Sequence, residues 1–329
     1  MRINFIGNYG YGYVGESSDE THLTRELEKL GHLVNKIPRD IWKAYCDGHS
    51  NSDWEDYFVD LESDINIICK WPHFDSDRYI NILREKSGSS VIYWTWDYFD
   101  WKTEYNSSDW HRIICRASDL HLTNEGGDIP IMHENGIKAV YFPFDVSDGQ
   151  FDRTVGVQKI YDLVFFGSCV GKGDRIEWLT EINKVHPVTI FSWNHEEWKK
   201  RGFVNAYPAV YGSEFAYKVC QTKICLGFSV EPHCWGYWSN RVGKVLITEG
   251  FLLYQYAPGM ELFLRDGAEY FSSIQEANEK IEYYLKNDKE REEIAGKGYK
   301  IGKDRFTSRA RVKELMILIE RYLKGEKLY

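Results

Sequence analysis

The chain has 329 residues, too many for one ordinary domain and enough for two of about 150 each. Hydrophobic residues at 43% and charged residues at 28% exclude a disordered, collagen-like or disulfide-scaffold chain. The formal charge of −9 argues against a general surface field for duplex nucleic acid, and no run approaches the roughly 20 apolar residues of a membrane helix.

Arg2 to Ile6, β-branched and aromatic and ended by Gly7, predicts a first strand, and a glycine-rich loop follows. From Ser18 the period changes. Leu23, Leu27 and Leu30 share one helical face, Asp19 and Glu20 occupy the first turn, and Gly31 is the stop. Further strands are predicted over 33–37, 65–69, 90–94, 120–123 and 139–142, with helical text between several of them. Between Asp145 and Gln158 the apolar period lapses into Asp, Gly, Ser, Arg and Thr, which is linker chemistry. The pattern restarts with a strand over 161–166 ending in Gly167 and Ser168, and then a helix from Asp174. After it come a strand over 188–191, a helix around 213–219 and a strand over 224–228. The segment 242–247 reads as a helix feeding a strand at 251–253, and apolar stripes at helical spacing run over 277–285 and 308–323. Alternating elements predict an α/β chain of two Rossmann-like, doubly wound domains, residues 1–150 and 159–306, facing a central cleft.

The seven cysteines form no C-x-x-C pair and show no ligand-like clustering with histidines along the sequence, so buried, reduced thiols and no metal site are expected. The start, Met1 to Tyr13, lacks the regions of a secretory signal, and a cytoplasmic location is expected. From Asn287 onward 12 Lys plus Arg stand against 8 Asp plus Glu, read as a solvated helical face. Aromatic residues at 16% pack cores and offer flat faces to bases and sugars.

Gly10-Tyr11-Gly12-Tyr13-Val14-Gly15 matches the G-x-G-x-x-G string of dinucleotide sites. Its context is poor, because the string begins three residues after Gly7, a polar insert precedes the helix, and Asn35-Lys36-Ile37-Pro38 offers no acid for ribose hydroxyls. The alternatives are a turn needing positive φ, or a loop at the carboxyl edge of the first sheet in which Gly10 and Gly12 lie over the cleft. In the second half the edge candidates are Gly167 and Ser168 with Lys172 and Arg175, then Ser192 and Asn194, Ser229, and Trp238-Ser239-Asn240-Arg241 leading into a helix. An arginine beside a helix start suits a diphosphate, since backbone N–H groups and a planar guanidinium both favour doubly charged oxygens.

Gly236-Tyr237-Trp238-Ser239-Asn240-Arg241-Val242, Glu249-Gly250-Phe251-Leu252-Leu253, Pro258-Gly259-Met260-Glu261-Leu262-Phe263 and Phe306-Thr307-Ser308-Arg309 resemble the nucleotide-binding half of CgeB-like glycosyltransferases. These are relatives of the retaining family 4 group with the GT-B fold. Glu20-Thr21-His22-Leu23, Asp97 and Gly126-Gly127 are similar to that family in the first half. The resemblance implies a nucleoside-diphosphate sugar held by the second domain and an acceptor held by the first. It further implies retaining transfer without a required metal or other cofactor, and a terminal helix, 307–329, packing back towards the first domain. Met260 joins the donor side. Many family 4 enzymes carry two glutamates eight positions apart, where this chain has Gly236 and Lys244, so either Glu231 or Glu249 substitutes, or the donor sits differently, or activity is lost.

Arg241, with Lys172 or Arg175, is expected to meet charge growing on the departing diphosphate. Asp97, His22 and Glu20 are expected to orient or deprotonate an acceptor hydroxyl, with Glu125 on the acceptor side and Trp96 either stacking an acceptor sugar or filling core. The acceptor is left as a glycan, a protein, a small molecule or a modified nucleobase. The competing expectations are an inactive sugar-nucleotide-binding protein of the same fold and a Rossmann oxidoreductase using NAD at Gly10 to Gly15.

Overall fold

The computed structural model describes residues 1–9, 19–58, 60–69, 74–99, 101, 109–143, 152–169 and 174–329. The chain divides into two compact units, Met1–Phe144 with Val312–Tyr329, and Asp145–Arg311.

Unit 1 holds a parallel six-stranded sheet of β1 (Arg2–Gly7), β2 (Leu33–Pro38), β3 (Ile65–Cys69), β4 (Val91–Trp94), β5 (Leu120–Thr123) and β6 (Ala139–Tyr141). The spatial order is β2-β1-β3-β4-β5-β6. The helices are α1 (Asp19–Lys29), α2 (Arg39–Cys46), α3 (Glu55–Phe58), α4 (Arg78–Ser87), α5 (Asp109–Ala117) and α6 (Ile129–Glu134). Every residue of β3, β4 and β5 is buried, as expected of central parallel strands covered on both faces. Two polar side chains within this sheet satisfy each other. Asn4 of β1 pairs in register with Asn66 of β3, and its Nδ2 donates to Asn66 Oδ1 at 2.9 Å and to the Leu61 carbonyl at 2.8 Å.

Unit 2 repeats the architecture with β7 (Tyr161–Phe166), β8 (Thr189–Ser192), β9 (Ala206–Pro208), β10 (Thr222–Gly227), β11 (Leu252–Gln255) and β12 (Glu269–Phe271) in the order β12-β11-β10-β7-β8-β9. Its helices are α7 (Arg175–Val185), α8 (His195–Lys200), α9 (Gly212–Cys220), α10 (Arg241–Ile247), α11 (Met260–Leu264), α12 (Ile274–Lys286) and α13 (Asp288–Arg305). Alternate residues of β7 feed two cores. Leu163 and Phe165 pack on one face with Trp198 and Phe228, while Val164 and Phe166 pack on the other with Trp238 and Tyr254. The sequence reading omits the edge strands β9 and β12, because three residues are too few to show a period of two.

Helix α13 crosses α10 at backbone distance. A Cβ on Gly298 would lie 2.4 Å from the Gly267 carbonyl oxygen, and one on Gly302 would lie 3.0 Å from the Ile247 nitrogen. The last helix, α14 (Ser308–Leu323), buries Val312, Leu315, Met316 and Ile319, and Tyr322 Oη donates to Ser90 Oγ at 3.3 Å within unit 1. Among the described residues no helix is long and apolar enough to cross a membrane. No disulfide joins the seven cysteines, all of them buried.

Candidate functional site

In a doubly wound sheet a ligand crevice opens beyond the carboxyl ends of the strands where the winding reverses. In unit 2 that point lies between β7 and β10, whose continuations are Gly167-Ser168 and Phe228-Ser229. Gly167 is dictated by packing, since a Cβ there would lie 2.5 Å from the Phe165 ring. The Gly167 carbonyl accepts from Trp198 Nε1 at 3.1 Å. Asn194 Oδ1 accepts from the Cys169 backbone N–H at 3.0 Å and from Ser192 Oγ at 2.6 Å, tying the β7 and β8 loops together. Ser229 Oγ accepts from the Glu231 N–H at 3.3 Å. Ser192, Asn194 and Ser229 therefore stand at the expected edge, with these hydrogen bonds shaping its loops. Trp193, between two of them, is 65% exposed.

Among the described residues two arginines bring positive charge to this edge. Arg175 opens α7 and is only 4% exposed, with its guanidinium 5.8 Å from the centroid of the Phe165 ring. Burial, and next to it the like charge of Arg241, push its pKa down to about 10. Arg241 opens α10 and is half-buried, its N–H 3.4 Å from Ser239 Oγ. The turn before it is held by Tyr254, whose Oη accepts from the Ser239 N–H at 3.2 Å. Tyr254 in turn explains Gly227, where a Cβ would lie 2.0 Å from the tyrosine ring. Two like charges brought together with one of them desolvated are unfavourable alone and favourable around a dianion.

Three donor-side assignments are corrected. Glu249 lies between α10 and β11, at the amino end of that strand and so at the opposite edge of the sheet, where it pairs with Arg153. The helix that brings Arg241 to the carboxyl edge necessarily delivers Glu249 to the other. Met260 and Trp238 are core side chains, 0% and 2% exposed, and Trp238 packs on Phe263 at 5.0 Å between ring centroids. Asn240 immediately precedes Arg241 in the same turn, and Lys172 lies outside the described residues.

In unit 1 the winding reverses between β1 and β3. Gly7 ends β1 and admits the Glu20 side chain, whose Cγ would lie 2.8 Å from a Cβ at that position. Glu20 is fully buried and its Oε1 accepts from the Asn8 N–H at 3.2 Å. His22 is 1% exposed in the first turn of α1, so it faces the protein and not solvent. Gly10 and Gly12, the expected cleft loop, lie outside the described residues. Beyond β4, Asp97 is half-buried in a bend.

Trp96 and Glu125 are corrected. Trp96 is 6% exposed and meets Trp94 edge-on at 5.5 Å between centroids, so its ring serves the core and not a sugar face. Glu125 is fully buried and anchors the Asp97 loop. Its Oε1 accepts from the Phe99 N–H at 3.0 Å and its Oε2 from Trp101 Nε1 at 2.8 Å, while Asn124 Nδ2 donates to the Trp96 carbonyl at 3.0 Å. Burial, opposed by those two donors, raises the Glu125 pKa well above the ordinary carboxyl value.

These geometries have parallels. Residues 174–317 match the family model described as glycosyl transferase-like. No curated protein matches the chain in sequence. The fold is similar along its whole length to sucrose-phosphate synthase of Thermosynechococcus elongatus (TM-score 0.67, 9% identity, 99% of this chain and 100% of that one). It is also similar to Anabaena HepE solved with UDP and glucose (0.66, 13%, 97% and 99%). A third likeness is to the DNA-modifying enzyme β-glucosyltransferase, solved with and without uridine diphosphoglucose (0.66, 14%, 98% and 100%). The two parallel-sheet, Rossmann-like units thus have the GT-B fold.

The sequence reading also passes over two features of these edges. Tyr254 has no motif to mark it, and its role depends on Gly227 lying opposite in the neighbouring strand. His111, Cys115 and His121 come together in unit 1. The first two are spaced i, i+4 on α5, a ligand-type spacing on one helix face, and that was the available signal.

Proposed function

We propose that the chain is a glycosyltransferase taking a UDP-hexose or related nucleotide sugar at the carboxyl edge of unit 2 and passing the sugar to an acceptor hydroxyl met by unit 1. The observation that carries this reading is the Arg175–Arg241 pair beside the β7/β10 winding reversal, within the glycosyl transferase-like segment. UDP is chosen because fold relatives were solved with UDP, with UDP-glucose or with uridine diphosphoglucose. In the reaction the anomeric carbon's bond to the diphosphate oxygen breaks and its bond to the acceptor oxygen forms. The diphosphate leaves with the bonding pair, and Arg175 and Arg241 meet that charge as it grows. The acceptor proton passes to a base, for which Asp97 is the candidate, with Glu20 and His22 as buried positioning groups behind β1. Retention of configuration and transfer without a metal or other cofactor belong to the same proposal and rest on the family likeness.

One observation favours a second reading, an inactive sugar-nucleotide-binding protein. Lys244 stands where family 4 enzymes carry an acid, and Glu249 is turned to the other edge by α10. The two readings separate on one sample. A thermal-shift series with UDP, GDP and ADP, followed by UDP release from UDP-glucose, is expected to give stabilisation by UDP and slow hydrolysis. Stabilisation without any UDP release across donors and acceptors supports the inactive reading, and no nucleotide response overturns both.

A further inference from the structure

Beneath the Asp97 loop, α5 presents His111 and Cys115 one turn apart and β5 presents His121. A ring nitrogen of each histidine and the thiol sulfur lie within 4.8 Å of one another, and Cys115 Sγ is 3.5 Å from His111 Nε2. All three side chains are buried, His111 and His121 completely. A single residue orients both rings. Tyr93 Oη lies 3.0 Å from His111 Nδ1, and the Tyr93 backbone carbonyl lies 3.2 Å from His121 Nδ1. A carbonyl can only accept, so His121 carries its proton on Nδ1 and its lone pair on Nε2. That Nε2 is buried and meets no hydrogen-bond partner among the described residues. A buried acceptor left unsatisfied is costly, and a cation accepting its lone pair removes the cost. Phe99 stacks on His111 at 3.4 Å between centroids, and Trp101 and Trp110 lie 5.4 and 5.6 Å away, forming an aromatic wall beside the cluster.

We propose that His111, Cys115 and His121 bind one zinc ion, a structural site separate from the glycosyl-transfer chemistry. Binding forms two Zn–N bonds and one Zn–S bond, a water kept from the incoming aquo ion fills the fourth tetrahedral position, and the thiol proton leaves to solvent with no change of oxidation state. With Zn–N near 2.1 Å and Zn–S near 2.3 Å, tetrahedral ligand atoms sit roughly 3.4 to 3.7 Å apart, so the cluster needs only a small contraction. Both Nδ1–H groups then donate to Tyr93, one to its hydroxyl and one to its carbonyl, the arrangement that fixes metal-bound histidines. Glu125 acts electrostatically on Cys115. Since Glu125 also holds the Phe99 and Trp101 N–H groups, the ion would brace the loop that carries Asp97.

The full chain, stripped with chelator and titrated with cobalt chloride, should develop thiolate-to-cobalt charge-transfer absorption that saturates at about one equivalent and is displaced by zinc chloride. Cys115→Ser should abolish that band, and His121→Gln should weaken cobalt binding by about tenfold or more. Tyr93→Phe, which removes only the Oη partner, should keep the band and lower affinity by roughly 10- to 100-fold. No thiolate band in the wild type at saturating cobalt overturns the proposal, as does a band unchanged in Cys115→Ser. Should Cys115→Ser fail to fold, wild-type affinity in His121→Gln would overturn it equally.

Discussion

The two units share a strand count, a parallel sheet and a single winding reversal, yet their carboxyl edges differ in chemistry. Unit 2 gathers cationic side chains, Arg175 and Arg241, at loops fixed by Asn194 and Tyr254. Unit 1 gathers acids and aromatic rings, most of them buried, with Glu20 on Gly7 and Glu125 under Phe99 and Trp101. Under the proposed function, one half of this scaffold meets a dianion and the other meets neutral hydroxyls and proton transfer. The strands supply position, and only the loops after them supply charge.

The comparison breaks most visibly at Asp97. Asp97→Asn is expected to cut turnover by roughly 100-fold or more while leaving UDP affinity nearly intact, because the group serves the acceptor proton and not the nucleotide. Steady-state rates beside calorimetric UDP binding separate those effects, and unchanged turnover removes Asp97 from the chemistry. His22→Ala should lower turnover less, since the ring is buried and acts through its neighbours.

At the cationic edge, Arg241→Ala should weaken UDP binding by about 1.5 to 3 kcal/mol, the usual size for a hydrogen bond to a charged group, with Arg241→Lys recovering part. Arg175→Ala carries an added test. The side chain is buried against Phe165, so its truncation should lower thermal stability along with nucleotide affinity. Binding equal to wild type in both variants would place the donor site elsewhere.

A purely architectural difference follows. Gly298→Ala should destabilise unit 2 by about 1 to 3 kcal/mol in urea unfolding, because the added carbon meets the Gly267 carbonyl oxygen and neither backbone can yield easily. A midpoint equal to wild type would mean that α13 shifts freely on the turn at Gly267.

The smallest expected effect is a pH slope. Glu125 has a folded pKa above its unfolded value, so the folded state holds the extra proton. Its contribution is present below the unfolded carboxyl pKa of about 4.5 and is lost as pH rises through the folded value. Glu125→Gln should therefore flatten the decline of stability with rising pH above about 4.5, at some loss at low pH because an amide oxygen replaces only one of two acceptors. A slope identical to wild type would show that the carboxyl titrates normally.

The alternation of apolar runs with helical faces determined both sheets from the sequence, because strands buried on two sides must be almost wholly apolar, as Ile65 to Cys69 is. The same text placed Gly167, Ser192, Ser229 and Arg241 at strand and helix ends, and parallel winding puts those ends on one edge. Direction and depth were decided by tertiary structure. Glu249 is eight residues beyond Arg241, and only the run of α10 across the sheet sends the two to opposite edges. Trp96, Trp238 and Met260 have the residue types of a binding surface and were drawn into cores, since aromatic and thioether groups gain by leaving water whichever role they serve. Glu125 became an anchor because two N–H donors of a distant loop converge on it. His121 joined His111 and Cys115 because β5 lies beside β4, where Tyr93 turns both rings inward. Sequence spacing carries information along one element, and these sites are made where two elements meet.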